Sequence, residues 1–294
     1  MRWEGNRESD NVEDRRGDGG GGGGGGGGFS FGGGSLSIGG IIIALVVSWL
    51  FGINPATLLS AVSGGGTVQQ QQAPAHATPA SDKEAAFMRV VLADTEDTWT
   101  ALFKQQGEQY VDPKLVLFTG RTGTACGTGQ SATGPFYCPA DRKVYIDLDF
   151  YRTMRERFRV SGEFAQAYVI AHEVGHHVQN LMGLSDKVHE AQQRSSEAAG
   201  NALSVKLELQ ADCFAGVWAF HANRSRQILE QGDVDAALAA ATAIGDDALQ
   251  RQAQGYVVPD SFTHGTSAQR TRWFKRGLES GEIGQCNTFE ARQL

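Results

Sequence analysis

The 294-residue chain sets 26 basic side chains against 33 acidic ones, a formal net charge of −7. That balance argues against a nucleic-acid partner, which wants a basic face, and the length allows one or two domains. Gly is abundant at 39 residues, but much of it falls in one run at 19–28, so the excess marks a segment rather than the whole chain.

Residues 1–18 are charged, with Arg2, Arg7, Arg15 and Arg16 set against Glu4, Glu8, Asp10, Glu13, Asp14 and Asp18. Together with the Gly run they hold too little apolar surface for a core, so 1–35 is expected to be a disordered, Gly-rich cytoplasmic tail. Residues 38–53 are strongly apolar, 56–62 extend them, and no charge occurs between Gly19 and Ser81. That pattern predicts a single transmembrane helix over 36–62. Arginines precede it and no Lys or Arg follows until Lys83. The positive-inside rule then places the N-terminus in the cytoplasm and the remainder across the membrane. Residues 63–81 read as a linker, and 82–294 as one domain of sufficient size to bury a core.

Ser81-Asp-Lys-Glu84 has the S-x-x-E form that opens a helix. Met88, Val91, Leu92, Trp99, Leu102 and Phe103 recur at helical spacing beyond it. Residues 115–118 read as a short strand, and 143–149 alternate as a half-buried strand does. A helix is expected near 150–158. From Gly162 the chain looks mainly helical, with elements near 162–182, 185–199, 202–223, 234–254 and 267–280. The fold class expected is α+β, mainly α, with a small sheet and the N-terminal membrane helix. The four cysteines, Cys126, Cys138, Cys213 and Cys286, have no zinc-ligand spacing. Outside the cytoplasm two disulfides are reasonable. Three connectivities are open, with Cys126–Cys138 favoured, and Cys213 in its apolar helix also reads as a buried free thiol.

The chemistry concentrates at Ala171-His-Glu-Val-Gly-His-His177. His172 and His176, four apart, aim two imidazoles from one helical face at one metal ion. Glu173, about 100° round the helix, reaches beside that ion and suits a general base. Two nitrogen ligands, an open position for water and a nearby carboxylate are what zinc hydrolysis needs. Glu208 and Asp212 are again four apart, in an otherwise apolar helix where unpaired carboxylates are costly. Glu208 is the expected third ligand, and Asp212 the acceptor for the ring N–H of His172. The converse assignment, Asp212 as ligand and Glu208 as support, stays open. His177, next to the motif, is expected to pack rather than ligate. His189 and His221 carry no motif, and Tyr145 and Tyr151 are placed near the cleft.

His172-Glu-Val-Gly-His176 followed by Glu208-x-x-Ala-Asp212 resembles the gluzincin arrangement of membrane-associated zinc proteases, the CAAX prenyl protease and heat-shock membrane protease families among them. The whole chain more closely resembles the neutral zinc metallopeptidases of bacteria. The likeness rests on the opening residues 1–14, the single apolar span, Gly-Pro-Phe-Tyr-Cys-Pro-Ala-Asp141 and His264-Gly-Thr-Ser267. A metzincin is excluded because its third histidine would fall at Met182. The resemblance implies a gluzincin-like domain in a bacterial cell-membrane protein, with the catalytic part periplasmic or extracellular. It also implies that residues 261–270 bring His264 and Arg270 towards the site. His264 would then stabilise the oxyanion, Arg270 would support it or bind substrate, and strand 144–148 would edge the cleft.

These readings converge on a membrane-anchored peptidase acting on peptide or protein substrates. Zn2+ would be held by His172, His176 and Glu208, with Glu173 as general base and His264 as second catalytic group. The rival is a membrane-tethered scaffold or binding protein with a structural zinc site, which would need a fourth protein ligand such as His177 or a cysteine.

Overall fold

A computed structural model describes residues 1–16, 82–130 and 134–294. The expected span 36–62, the Gly run, the linker 63–81 and Ser81 lie outside the described residues.

The charged N-terminal arm contributes the first strand, β1 (Val12–Asp14). A long helix α1 (Asp82–Gln105) follows, then β2 (Lys114–Phe118) and a hairpin of β3 (Arg121–Thr124) and β4 (Gly127–Gln130). Two more strands, β5 (Phe136–Cys138) and β6 (Lys143–Asp147), complete a four-stranded sheet in the order β1-β2-β6-β5. β1, β2 and β6 run parallel, and β5 is antiparallel to β6. Leu115, Val116, Leu117 and Phe118 are all buried, as a parallel strand covered on both faces requires. β6 is therefore interior, and the expectation that it edges the cleft is corrected: β5 forms that edge of the sheet.

The rest is helical, as the α+β, mainly α reading expects. α2 (Asp149–Glu156), α3 (Glu163–Leu181), α4 (Leu184–Gln193) and α5 (Glu197–Arg226) precede α6 (Asp233–Ala243), α7 (Asp246–Gln254) and α8 (Ser267–Ser280). The transmembrane part of the expected fold class is overturned. Among the described residues no helix is long and apolar enough to cross a membrane.

The arm's order corrects a second expectation, that residues 1–18 can bury no core. It folds on borrowed surface. Trp3 is buried and meets Phe87 edge to face at 5.3 Å. Arg7 reaches the Ala93 carbonyl at 2.8 Å and the carboxylates of Glu96 and Asp97. Lys143 lies 2.8 Å from Glu13, and with Arg15 it holds that carboxyl down to about 2. Charges that look like a solvated tail in sequence are ion-pair partners of groups far along the chain.

Helices α5 and α8 cross at unusually short range. A Cβ built at Gly216 would lie 2.1 Å from the Phe274 carbonyl oxygen, and one at Gly277 1.9 Å from that of Cys213. Only hydrogens fit there, so the backbones touch. Disulfides join Cys126 to Cys138, tying the hairpin to β5, and Cys213 to Cys286, tying α5 to the C-terminal 3-10 turn Ile283–Cys286.

If the arm is part of the core, Trp3→Ala should destabilise the protein by about 3 kcal/mol. Urea unfolding monitored by circular dichroism would show it; an unchanged midpoint would mean that the arm is dispensable.

Candidate metal centre

α3 is apolar nearly all round: Phe164, Ala167, Tyr168, Ile170, Ala171, Val174 and Val178 are fully buried. A helix of that kind forms in the centre of a fold, and its few polar side chains must find partners there. Gly183, in the left-handed conformation at φ 68°, follows the C-cap Met182 and ends the helix.

His172 and His176 project from one face, as their spacing predicts. His172 Nε2 lies 3.1 Å from Glu208 Oε2, and His176 Nε2 lies 3.3 Å from Glu208 Oε1. These three residues offer ligand atoms within 4.8 Å of one another, and among the described residues no other His, Cys, Asp and Glu group does so. Glu208 comes this close because α5 packs directly on the motif helix. A Cβ at Gly175 would meet the Ala211 backbone at 3.0 Å, so the residue just before His176 must stay small.

Asp212 is fully buried. It accepts from the His172 Nδ1–H at 2.8 Å, from the Tyr168 hydroxyl at 2.5 Å, and from Arg270 Nε and Nη2, both at 2.9 Å. It lies behind His172, on the Nδ1 side of the ring, and is not among the three residues whose ligand atoms converge. Arg270 is 2 % exposed, so it is placed to hold Asp212 and not to meet a substrate. His176 has an equivalent anchor in Gln179, whose Oε1 lies 2.9 Å from Nδ1. Both imidazoles therefore keep a proton on Nδ1 and turn Nε2 towards Glu208.

The electrostatics follow from burial and charge. Burial opposes the charged form of every group here. Asp212 and Glu208 nevertheless push the His172 imidazole up to about 10, and Glu208 raises His176. The three histidines around Glu208 hold its carboxyl well below the ordinary range, and Arg270 with His172 lowers Asp212. Glu173 moves the other way: burial raises it, and its carboxylate makes no hydrogen bond or ion pair among the described residues. An anionic Glu208 facing two imidazole nitrogens is a donor set suited to a dication such as zinc.

His264 sits on the loop between α7 and α8. Asp246 gathers that loop, accepting the backbone N–H groups of Thr263, His264 and Gly265 at 2.8, 2.6 and 3.0 Å and lying 3.2 Å from His264 Nδ1. Gly265 rests against Val205 and Leu209, which flank Glu208 on α5. The side chain of His264 is half-exposed, and Glu208 and Asp246 raise its pKa against the opposing effect of burial. His177 turns away from the cluster, bonded to the Val111 carbonyl at 2.6 Å and the Tyr137 hydroxyl at 2.9 Å. All four cysteines are in disulfides. Tyr145 bonds Asp141, whereas the Tyr151 hydroxyl is buried without a partner among the described residues, within electrostatic reach of Glu173.

Sequence reasoning misses Tyr168, Gln179 and Asp246. Tyr168 lies one turn before His172 and Gln179 three residues after His176, so helical spacing could have found both. Nothing local marks Asp246.

The family model described as "Putative neutral zinc metallopeptidase" matches residues 1–289. The chain belongs to this family. It is 54% identical over 291 residues to "Uncharacterized protein YpfJ" of Escherichia coli (strain K12), covering 98% of this chain and 99% of that protein. It is 40% identical over 257 residues to "Uncharacterized protein Rv2575" of Mycobacterium tuberculosis (strain ATCC 25618 / H37Rv), covering 81% and 86%. No solved structure matches the chain. The family match begins at residue 1 and so includes the arm.

Arg270→Met would leave Asp212 as an uncompensated buried carboxylate. Its expected cost is roughly 3–5 kcal/mol of stability, measured by chemical denaturation. A loss below about 1 kcal/mol, typical of an exposed pair, would show that the pair carries no such weight.

Proposed function

We propose that this chain hydrolyses peptide bonds with zinc held by His172, His176 and Glu208. The observation that carries the reading is the division of labour within each histidine. Nδ1 is committed to an orienting acceptor, Nε2 faces Glu208, and an unpaired carboxylate, Glu173, adjoins the pair. Zinc, when bound, acts as a Lewis acid towards the attacking water and the scissile carbonyl.

Glu173 takes the proton of the attacking water and returns it to the leaving amine. Burial raises its pKa from the ordinary carboxylate value, which makes it a stronger base for that proton. His264, carried by the Asp246-bound loop, donates to the oxygen that becomes negative in the tetrahedral intermediate. Asp212 and Gln179 keep the two imidazoles from rotating. An extended substrate adds to β5, the sheet edge that Tyr137 joins to the motif helix through Asn180 at 2.9 Å and through His177.

A purely structural zinc site needs a fourth protein ligand. The two candidates the sequence raises are both engaged elsewhere, His177 by Val111 and Tyr137 and the cysteines by each other, which favours catalysis over scaffolding. The disulfides also support a working compartment that is oxidising, and the arm, folded onto the same body, would share it.

Glu173→Gln should retain zinc while casein hydrolysis falls at least about 100-fold. Zinc analysis and hydrolysis of casein by wild type and variant side by side check this; undiminished turnover in the variant would remove Glu173 as the base.

A further inference from the structure

The hydrogen bond that orients His176 does not end at Gln179. Gln179 Nε2 donates to the Leu207 carbonyl at 2.7 Å and to Gln210 Oε1 at 3.1 Å. Gln210 Nε2 in turn donates to the Cys286 carbonyl at 3.0 Å. Gln179 is fully buried and Gln210 nearly so. A primary amide can face either way, so its direction must be set by its partners. Here both ends of the chain of amides are backbone carbonyls, which only accept.

The consequence is directional. The Cys286 carbonyl requires the NH2 of Gln210, which turns Gln210 Oε1 towards Gln179. Leu207 and Gln210 then present two acceptors to Gln179, which takes them with its NH2 and leaves only Oε1 for His176. An oxygen acceptor at Nδ1 requires a proton there, so Nε2 is the nitrogen able to offer a lone pair. The same amide also ties α3 to the Leu207–Gln210 turn of α5, the turn that carries Glu208. Cys286 is itself fixed by its disulfide to Cys213, the residue after Asp212. The groups that orient the two histidines thus share one anchor point on α5.

We propose that Gln179 and Gln210 are positioning residues of the metal centre, a relay that sets the tautomer of His176 and the placement of Glu208, and thereby zinc affinity. This rests on the reading that His172, His176 and Glu208 hold zinc. Loss of a group that orients a ligating histidine typically weakens metal binding by about 10–100-fold. Gln179→Leu fills the space without an acceptor, and Gln210→Leu removes the group that sets the direction of Gln179.

The test is competition for zinc between a chromophoric chelator and the full-length protein, for wild type, Gln179→Leu, Gln210→Leu and Trp218→Phe. Trp218→Phe is the control. It removes a buried hydrogen bond to Asp94 (2.7 Å) elsewhere on α5, and so should lower melting without touching the relay. Expected are a roughly 10–100-fold loss of affinity in Gln179→Leu, a smaller loss in the same direction in Gln210→Leu, and wild-type affinity in Trp218→Phe. The zinc-loaded wild type should also show a slowly exchanging His176 Nδ1 proton by 1H–15N NMR that Gln179→Leu lacks. Zinc binding by wild type with equal affinity in Gln179→Leu would overturn the relay alone. Equal losses in all three variants would overturn it too, as would an Nδ1 proton unchanged in Gln179→Leu. Absence of zinc binding by wild type would overturn the ligand assignment, and the relay with it.

Discussion

Asp212 places a carboxylate where no water reaches, and taking such a charge from water costs several kcal/mol after relaxation. The fold around the metal centre can be read as the means of offsetting that cost. Arg270 supplies the opposing charge in a two-point grip, Tyr168 a hydroxyl, and His172 a ring N–H. The grip requires α8 to lie against α5 closely enough for Arg270 to cross between them. Gly216 and Gly277 allow this, since a methyl group on either would overlap backbone of the other helix. Once Asp212 is fixed, His172 has one orientation, and Glu208, one turn earlier on the same helix, faces both imidazoles. Packing, ion pair and ligand geometry are one constraint.

The sheet plays a more peripheral part, and its composition is unexpected. Its outermost strand comes from an arm too polar to fold by itself. The arm's backbone is satisfied by β2, its one large aromatic enters the α1 core, and its charges meet counter-charges on α1 and β6. At the opposite edge, β5 is tied to the hairpin by Cys126–Cys138 and to the motif helix through Tyr137, which places a sheet edge against that helix.

What is legible in the sequence is what depends on helical spacing. His172 with His176, Glu208 with Asp212, and the apolar faces around them are local patterns, and the three ligand candidates do converge. The pairing of Asp212 with His172 follows from the same logic, because a carboxylate on a buried helix must have a partner. Arg270 is harder. A guanidinium read from sequence suits a substrate, yet its burial on Asp212 depends on a helix crossing that no spacing reveals. Asp246 is illegible for a related reason, since it acts on backbone N–H groups of a loop that any residues could offer. The arm misleads because composition measures what a segment can bury alone, whereas this one buries surface contributed by α1.

The central claim is that His172, His176 and Glu208 together hold one zinc ion. X-ray absorption at the zinc edge on the purified full-length protein tests it most directly. One zinc per chain is expected, with two nitrogen scatterers at about 2.0–2.1 Å and a carboxylate oxygen at about 2.0–2.2 Å, and with the site lost or much weakened in Glu208→Gln. Sulfur scatterers, or a coordination shell unchanged in that variant, would contradict the account.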